Sequence, residues 1–158
     1  MRVYRDTRFS KNKTPYKTNI GIQFRHELAK DVHSPGYYVH IDPEQVFIGV
    51  GIWHPDPPAL AGIRARIAGK SAEWLRASRD KKFRRHFHLG GTSLTRPPRG
   101  YSKDHPMIGD IKRKDFIAIE NLTVEAALDA RFRDQVETSF KTATGYMQFL
   151  CKAAGVPF

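Results

Sequence analysis

The sequence predicts an α+β domain: an antiparallel or mixed sheet with helices on one face and a long C-terminal helix. Three observations carry this. Segments with two-residue alternation, "NIGIQFR" and "GYYVHIDPEQVFIGVGIW", crowd the first third of the chain. Apolar spacing of three and four takes over from Asp56 and returns near the C-terminus. Strands grouped first and helices later suit helices packed on one sheet face, rather than the strict alternation of a parallel α/β fold.

Taken in order, "RVYRD" reads as a short strand, and "TRFSKNKTPYKT" as a loop by its Thr, Ser, Asn and Pro content. In "NIGIQFR", Ile20, Ile22 and Phe24 face one way and Gly21, Gln23 and Arg25 the other, which predicts a half-buried strand. "GYYVHIDPEQVFIGVGIW" holds two strand patterns around the turn formers Asp42 and Pro43. With Asp42–Gln45 as the loop, Ile41 pairs with Val46, Val39 with Ile48 and Tyr37 with Val50. All of these are apolar or aromatic, and a one-residue slip would mix the faces. The same register sends Tyr38, His40, Phe47, Gly49, Gly51 and Trp53 to the opposite face. Two glycines on one strand face leave a flat floor that a ligand or another backbone can approach.

Asp56 and Pro57 open a helix, as N-cap and first helical residue, with Leu60, Ile63 and Ile67 as its apolar stripe. "SAEWLRASRD", with Ser71 as its cap, and "KKFRRHF" follow as short helices. "HLGGTSLTR" is a turn between extended pieces, "RPPRGYSKDHP" an irregular linker, and "DFIAIENL" a strand. From about Thr123 or Ala130 to Ala154, Phe132, Val136, Phe140, Ala143, Met147 and Leu150 mark a long amphipathic helix closed by Gly155 and Pro157.

At 158 residues the chain is read as a single domain, 1–158, long enough to bury a substantial core. Its 27 Lys+Arg against 16 Asp+Glu leave a net charge of +11, a field that draws phosphates, carboxylates or nucleic acid. The one cysteine, Cys151, excludes an internal disulfide and an all-cysteine zinc site, and its apolar helical setting predicts a buried, inert thiol. No apolar run approaches a membrane span and "MRVYRD" is no signal peptide, so the expectation is a cytoplasmic protein without membrane contact.

Chemistry concentrates in "YRDTRFSKNKTPYK". Arg5 and Asp6 project to opposite sides of a strand end, and Arg8, Lys11, Lys13, Tyr16 and Lys17 follow in the loop. Arginine forks grip phosphate or carboxylate bidentately. Asp6 can hold a guanidinium in place or act as a general base. The same residues also fit an ion-pair cluster that fastens the loop to the sheet, and composition leaves both readings open. Among seven histidines, His40 stands on the glycine floor, as a site residue or as a hydrogen-bonded structural one beneath a helix. "HFH" would present His86 and His88 on one face if extended, yet no HExxH and no His-Cys cluster joins it, so no metal is assigned. "KKFRRHFH" and "KRKDF" interleave cations with aromatics, either to stack bases or, the favoured reading, as core Phe with a solvated basic flank. "GVG" and "LGG" do not continue into a phosphate loop, and no cofactor is assigned.

"RVYRDTRFSKNKTPY" resembles the signature of a bacterial family, domain-of-unknown-function family 2461: Arg-x-x-Arg-Asp-x-Arg-Phe, then Lys and Tyr at short spacing. The matching residues are Arg2, Arg5, Asp6, Arg8, Phe9, Lys13 and Tyr16, with Asn12 where the family accepts Asp or Asn. Similarity continues through "GYYVHIDPE", "GVGIWHPDPPAL", "RPPRGY", "DHP" and "KRKDF" to the C-terminal helix. The resemblance implies an α/β-type domain and no particular activity. Family members usually carry a helical segment before the signature, whose absence here predicts self-association or reduced stability. The combined expectation is a basic cleft for a small anionic ligand, with enzymatic activity left open. Arg2, Arg5, Arg8, Lys13, Tyr38 and Trp53 are its binding residues, and Asp6, His40 and Tyr16 its catalytic candidates. A sequence-tolerant nucleic-acid binder and a non-catalytic interaction module are the alternatives.

Overall fold

A computed structural model describes residues 17–25 and 34–158. The strand read over Arg2–Asp6 and the loop to Tyr16 lie outside the described residues. Among the described residues, five strands form one sheet: β1 (Ile20–Arg25), β2 (Gly36–Ile41), β3 (Val46–Ile52), β4 (His88–Gly90) and β5 (Phe116–Leu122). They stand in the order β1-β2-β3-β5-β4, every neighbouring pair antiparallel. The helices are α1 (Pro57–Gly69), α2 (Ser71–Arg79), α3 (Lys81–His86), α4 (Ile108–Ile111), α5 (Val124–Leu128), α6 (Phe132–Thr142) and α7 (Thr144–Ala154). The fold is α+β, and its long C-terminal helical stretch runs through α6 and α7 with Ala143 between them in the helical region.

The β2–β3 hairpin has the predicted register: Ile41 opposite Val46, Val39 opposite Ile48, Tyr37 opposite Val50. Asp42 shapes its loop, with its N–H on the Gln45 carbonyl at 2.9 Å and its side chain accepting from the Glu44 N–H at 3.0 Å. Val39, Ile48, Val50 and Ile52 are buried with Phe116 and Ala118 of β5. Against them pack Ile63 and Ile67 of α1, Trp74 of α2, Phe83 of α3, and Tyr146, Met147 and Leu150 of α7. Each such side chain contributes about 1.5–3 kcal/mol by leaving water, so this face holds the domain together. Asp56 caps α1 as its sequence predicts, accepting from the Ala59 N–H at 2.8 Å.

Three local expectations are corrected. β1 keeps its alternation, but Ile20, Ile22 and Phe24 are 41–45% exposed. Of the three, Phe24 meets a helix, edge-on to Phe140 of α6 at 5.4 Å. Ser71 does not cap α2. Its hydroxyl donates back to the Ile67 carbonyl at 2.9 Å, closing α1 instead. "HFH" is not an extended pair, because α3 ends at His86 and β4 starts at His88 around the buried Phe87. His86 reaches Glu120, whereas His88 stands opposite Ile119.

Candidate functional site

Alternation along β2 and β3 places the residues that do not enter the core on the second sheet face. Tyr38 lies opposite Gly49 and His40 opposite Phe47, as the register argument requires. A groove of about 420 Å³ runs over this face. Gly49 and Gly51 of β3 form its floor, with Phe47 before them and Trp53 after them along the chain, Tyr38 of β2 on one side and Ile117 and Ile119 of β5 on the other.

The two glycines exist for different reasons. Gly51 has φ +120°, and a Cβ there would run into the Phe116 carbonyl oxygen, so the backbone itself demands glycine. At Gly49 a Cβ would meet its nearest neighbour, Cβ of Tyr38, at 3.8 Å, an ordinary contact. Glycine inside a strand costs about 0.5–1 kcal/mol relative to alanine. Among the described residues nothing requires that cost at position 49, and the glycine leaves the floor of the groove open.

Tyr38 and Trp53 therefore line the groove as their sequence positions suggested. His40 shares the face without lining the groove. Its Nδ1 lies 3.2 Å from the Tyr38 hydroxyl and its ring stacks on Phe47 at 4.7 Å. No helix covers it among the described residues, so the structural alternative holds in its hydrogen bonding and not in its setting. Burial raises the Tyr38 hydroxyl above its ordinary pKa. Arg2, Arg5, Asp6, Arg8, Lys13 and Tyr16 lie outside the described residues. The described lining carries no lysine or arginine, and its flat apolar character suits a planar body.

Beside the groove sits a pair that sequence reasoning missed. The His54 Nδ1 is 2.7 Å from the Asp115 Oδ1, and the His54 backbone N–H donates to the same oxygen at 3.0 Å. The other oxygen, Oδ2, accepts the Thr92 N–H at 2.9 Å and the Thr92 hydroxyl at 2.8 Å. The Asp115 side chain is 1% exposed, while the imidazole it holds is 55% exposed. Burial pushes the Asp115 pKa up, but the hydrogen bonds from Thr92 and His54 outweigh it and hold the carboxyl below its usual value. Room for the carboxylate comes from Gly91 (φ +89°), where a Cβ would stand 2.5 Å from that of Asp115.

His54 has a φ of +49°, a left-handed conformation unusual for a residue with a side chain and one that clusters at functional sites. Trp53, which lines the groove, stacks on the His54 ring at 4.3 Å. The sequence concealed this pair because its members are 61 residues apart. Asp115 also sits in the run "KRKDF", where a lone carboxylate among cations reads as charge balance. The one available signal was His54 itself, between a groove tryptophan and the Pro-rich start of a helix.

Among the described residues, no cluster of three or more His, Cys, Asp or Glu side chains could hold a metal ion. No described helix is long and apolar enough to cross a membrane. Phe83 and Phe87 are core residues, and Lys81, Lys82, Arg84 and Arg85 stand exposed around them, the arrangement favoured from sequence.

Fold and groove together define an α+β protein with a ligand-sized hollow on the second face of its antiparallel sheet. The family model described as "Conserved hypothetical protein (DUF2461)" matches residues 1–149, and the chain belongs to that family. No curated protein and no solved structure matches it.

Proposed function

We propose that the groove binds a small organic anion with a flat apolar body. The body lies on the glycine floor between Tyr38, Trp53 and Ile119, and the acid group is assigned to Arg5, Arg8 and Lys13 of the signature, with Arg2 and Tyr16 assisting. Gly49 is the observation that carries the reading. Among the described residues nothing requires glycine at position 49, and the space it leaves on the sheet face supports a ligand site. The net charge of +11 supports an anion over a neutral or cationic ligand. A nucleic-acid role has less support, because Phe83 and Phe87 are buried and cannot stack on bases.

The test is the thermal midpoint in the presence of benzoate, phenyl phosphate or inorganic phosphate, since a ligand that binds only the folded state raises it. Phenyl phosphate or benzoate is expected to raise the wild-type midpoint more than inorganic phosphate does. Gly49→Val fills the floor and removes the aromatic advantage. Arg8→Gln leaves the midpoint without ligand nearly unchanged and abolishes the shift. An equal shift in Gly49→Val, or no shift with any of the three anions, overturns the proposal.

A further inference from the structure

The charge of the chain is not spread evenly over its surface. Residues 57–86, which hold α1, α2 and α3, carry nine lysines and arginines against two carboxylates. Both carboxylates are engaged. Glu73 pairs with Arg66 at 2.6 Å, and Asp80 caps α3 by accepting the Lys82 and Phe83 N–H groups at 2.8 and 3.1 Å. Arg76, Lys81, Lys82, Arg84 and Arg85 are exposed and make no ion pair among the described residues. Around α6 the pattern differs, because Arg131 pairs with Asp129 and Lys141 with Glu137.

The cluster works against the helix that carries it. Lys81 and Lys82 stand in the first turn of α3, where the helix amides already present their positive ends, and Lys81 and Arg85 are like charges four residues apart. Core packing fixes where the cations point. Trp74 of α2 and Phe83 of α3 both turn inward on Tyr146 of α7, with ring centroids at 5.8 and 5.0 Å. At 3.6 residues per turn, a residue two places from either of them points about 160° away from it. Arg76, Lys81 and Arg85 hold those places, so they share the outer surface of the helical layer. Beside Arg76, a hollow between α2 and α7 is lined by Lys152, Gln148 and Gly145, and a Cβ at Gly145 would meet nothing within 4 Å.

We propose that this outer surface docks the phosphate backbone of a nucleic-acid duplex, with Arg76 and Lys152 at the hollow taking one phosphate and the α3 cations taking its neighbours. The groove lies on the other face of the sheet, and the proposal does not rest on it. An exposed cation gains little from a lone ion, so a surface of this kind acts on a ligand that brings many phosphates at once. Arginine forks and lysines meet phosphates without reading bases. Among the described residues, no large exposed apolar side chain lies on α1, α2 or α3, so the surface lacks both a wedge for a membrane and an apolar anchor for a protein interface. Phe83 and Phe87 are buried, which removes stacking on the bases of a single strand and leaves backbone contact with a duplex intact.

Fluorescence anisotropy of a short labelled DNA duplex, titrated with the whole chain at about 50 and 200 mM salt, tests this. Affinity is expected to fall with salt at a log–log slope of about −3.6 or steeper, roughly 0.9 for each of four phosphates. Lys81→Gln with Arg85→Gln is expected to make the slope shallower by about 2, and Arg76→Gln by about 1. Both variants keep a thermal midpoint no lower than that of the wild type, because like charges are removed. Arg131→Gln with Arg133→Gln, which takes the same charge from the start of α6, is expected to keep the wild-type slope. An RNA duplex bound with the same slope sustains the proposal, since only phosphates are contacted. No binding to either duplex at the lower salt, or equal slopes in the α3 and α6 variants, overturns it. So does a tighter hold on a single strand of the same sequence. Binding to vesicles of phosphatidylcholine and phosphatidylserine in equal parts, without binding to a duplex, overturns it in favour of a membrane surface.

Discussion

Among the described residues, two histidine–carboxylate pairs, His54–Asp115 and His86–Glu120, share the same Nδ1-to-oxygen distance of 2.7 Å. Their surroundings differ. Both oxygens of Asp115 are saturated by donors from Thr92 and His54, whereas the Glu120 Oε2 is buried without a hydrogen-bond partner. Glu120 also stands on the sheet face that carries Ile48 and Ala118, where the core is apolar. Distance alone would rank the pairs as equals. The count of satisfied lone pairs separates a constructed site from a carboxylate that the fold merely tolerates.

The sharpest way to break that distinction is to replace each carboxylate with its amide. Asp115→Asn turns an NH₂ group toward backbone N–H donors in either orientation, so at least one buried donor loses its acceptor. The expected cost is about 3 kcal/mol, from the usual range for hydrogen bonds to charged groups. For a chain of this size that is a fall in thermal midpoint of roughly 6–12 °C. Equal losses in Asp115→Asn and Glu120→Gln by urea unfolding would erase the contrast.

The pH response of the same site carries a definite sign. Because the folded Asp115 titrates below the ordinary value near pH ~4, its stabilisation is complete above about pH 4 and is lost as pH falls through the lowered value. Urea midpoints followed downward from neutral pH should show this loss in the wild-type protein and a flatter acid limb in Asp115→Asn.

The groove floor offers a second contrast, smaller in energy. Gly51→Ala forces a side chain into the Phe116 carbonyl at a left-handed φ and is expected to cost more than about 2 kcal/mol, the upper range for such backbone strain. Gly49→Ala, two residues away on the same strand, is expected to gain about 0.5–1 kcal/mol. A loss at Gly49 would give that glycine a structural purpose and weaken the binding site. The smallest effect is expected at Glu120→Gln, below about 1 kcal/mol, because the amide oxygen still accepts from His86 and a buried charge is removed.

How much of this was legible in the sequence follows the range of the interaction. The β2–β3 register could be read because alternation and a short loop are local, and with it came the faces of Tyr38, Gly49, Gly51 and Trp53. The Asp56 cap was legible for the same reason. Ser71 misled because a serine at a helix junction can serve either helix, and here the open carbonyls of α1 took its hydroxyl. The exposure of Ile20 and Ile22 is not encoded by alternation within β1, which marks a face and not what covers it. The His54–Asp115 pair lay beyond reading because it depends on the pairing of β3 with β5, a contact between distant parts of the chain.

That pairing also sets an order of events during synthesis. β3 can join β2 as soon as the hairpin leaves the ribosome, but its other edge, Val46–Ile52, has to wait for Phe116–Leu122. At ordinary elongation rates the wait is on the order of several seconds. For that interval a run of valine and isoleucine offers unpaired backbone to any passing strand. His54 has no Asp115 to meet until the wait is over, so the pair closes only after the sheet has found its last central partner.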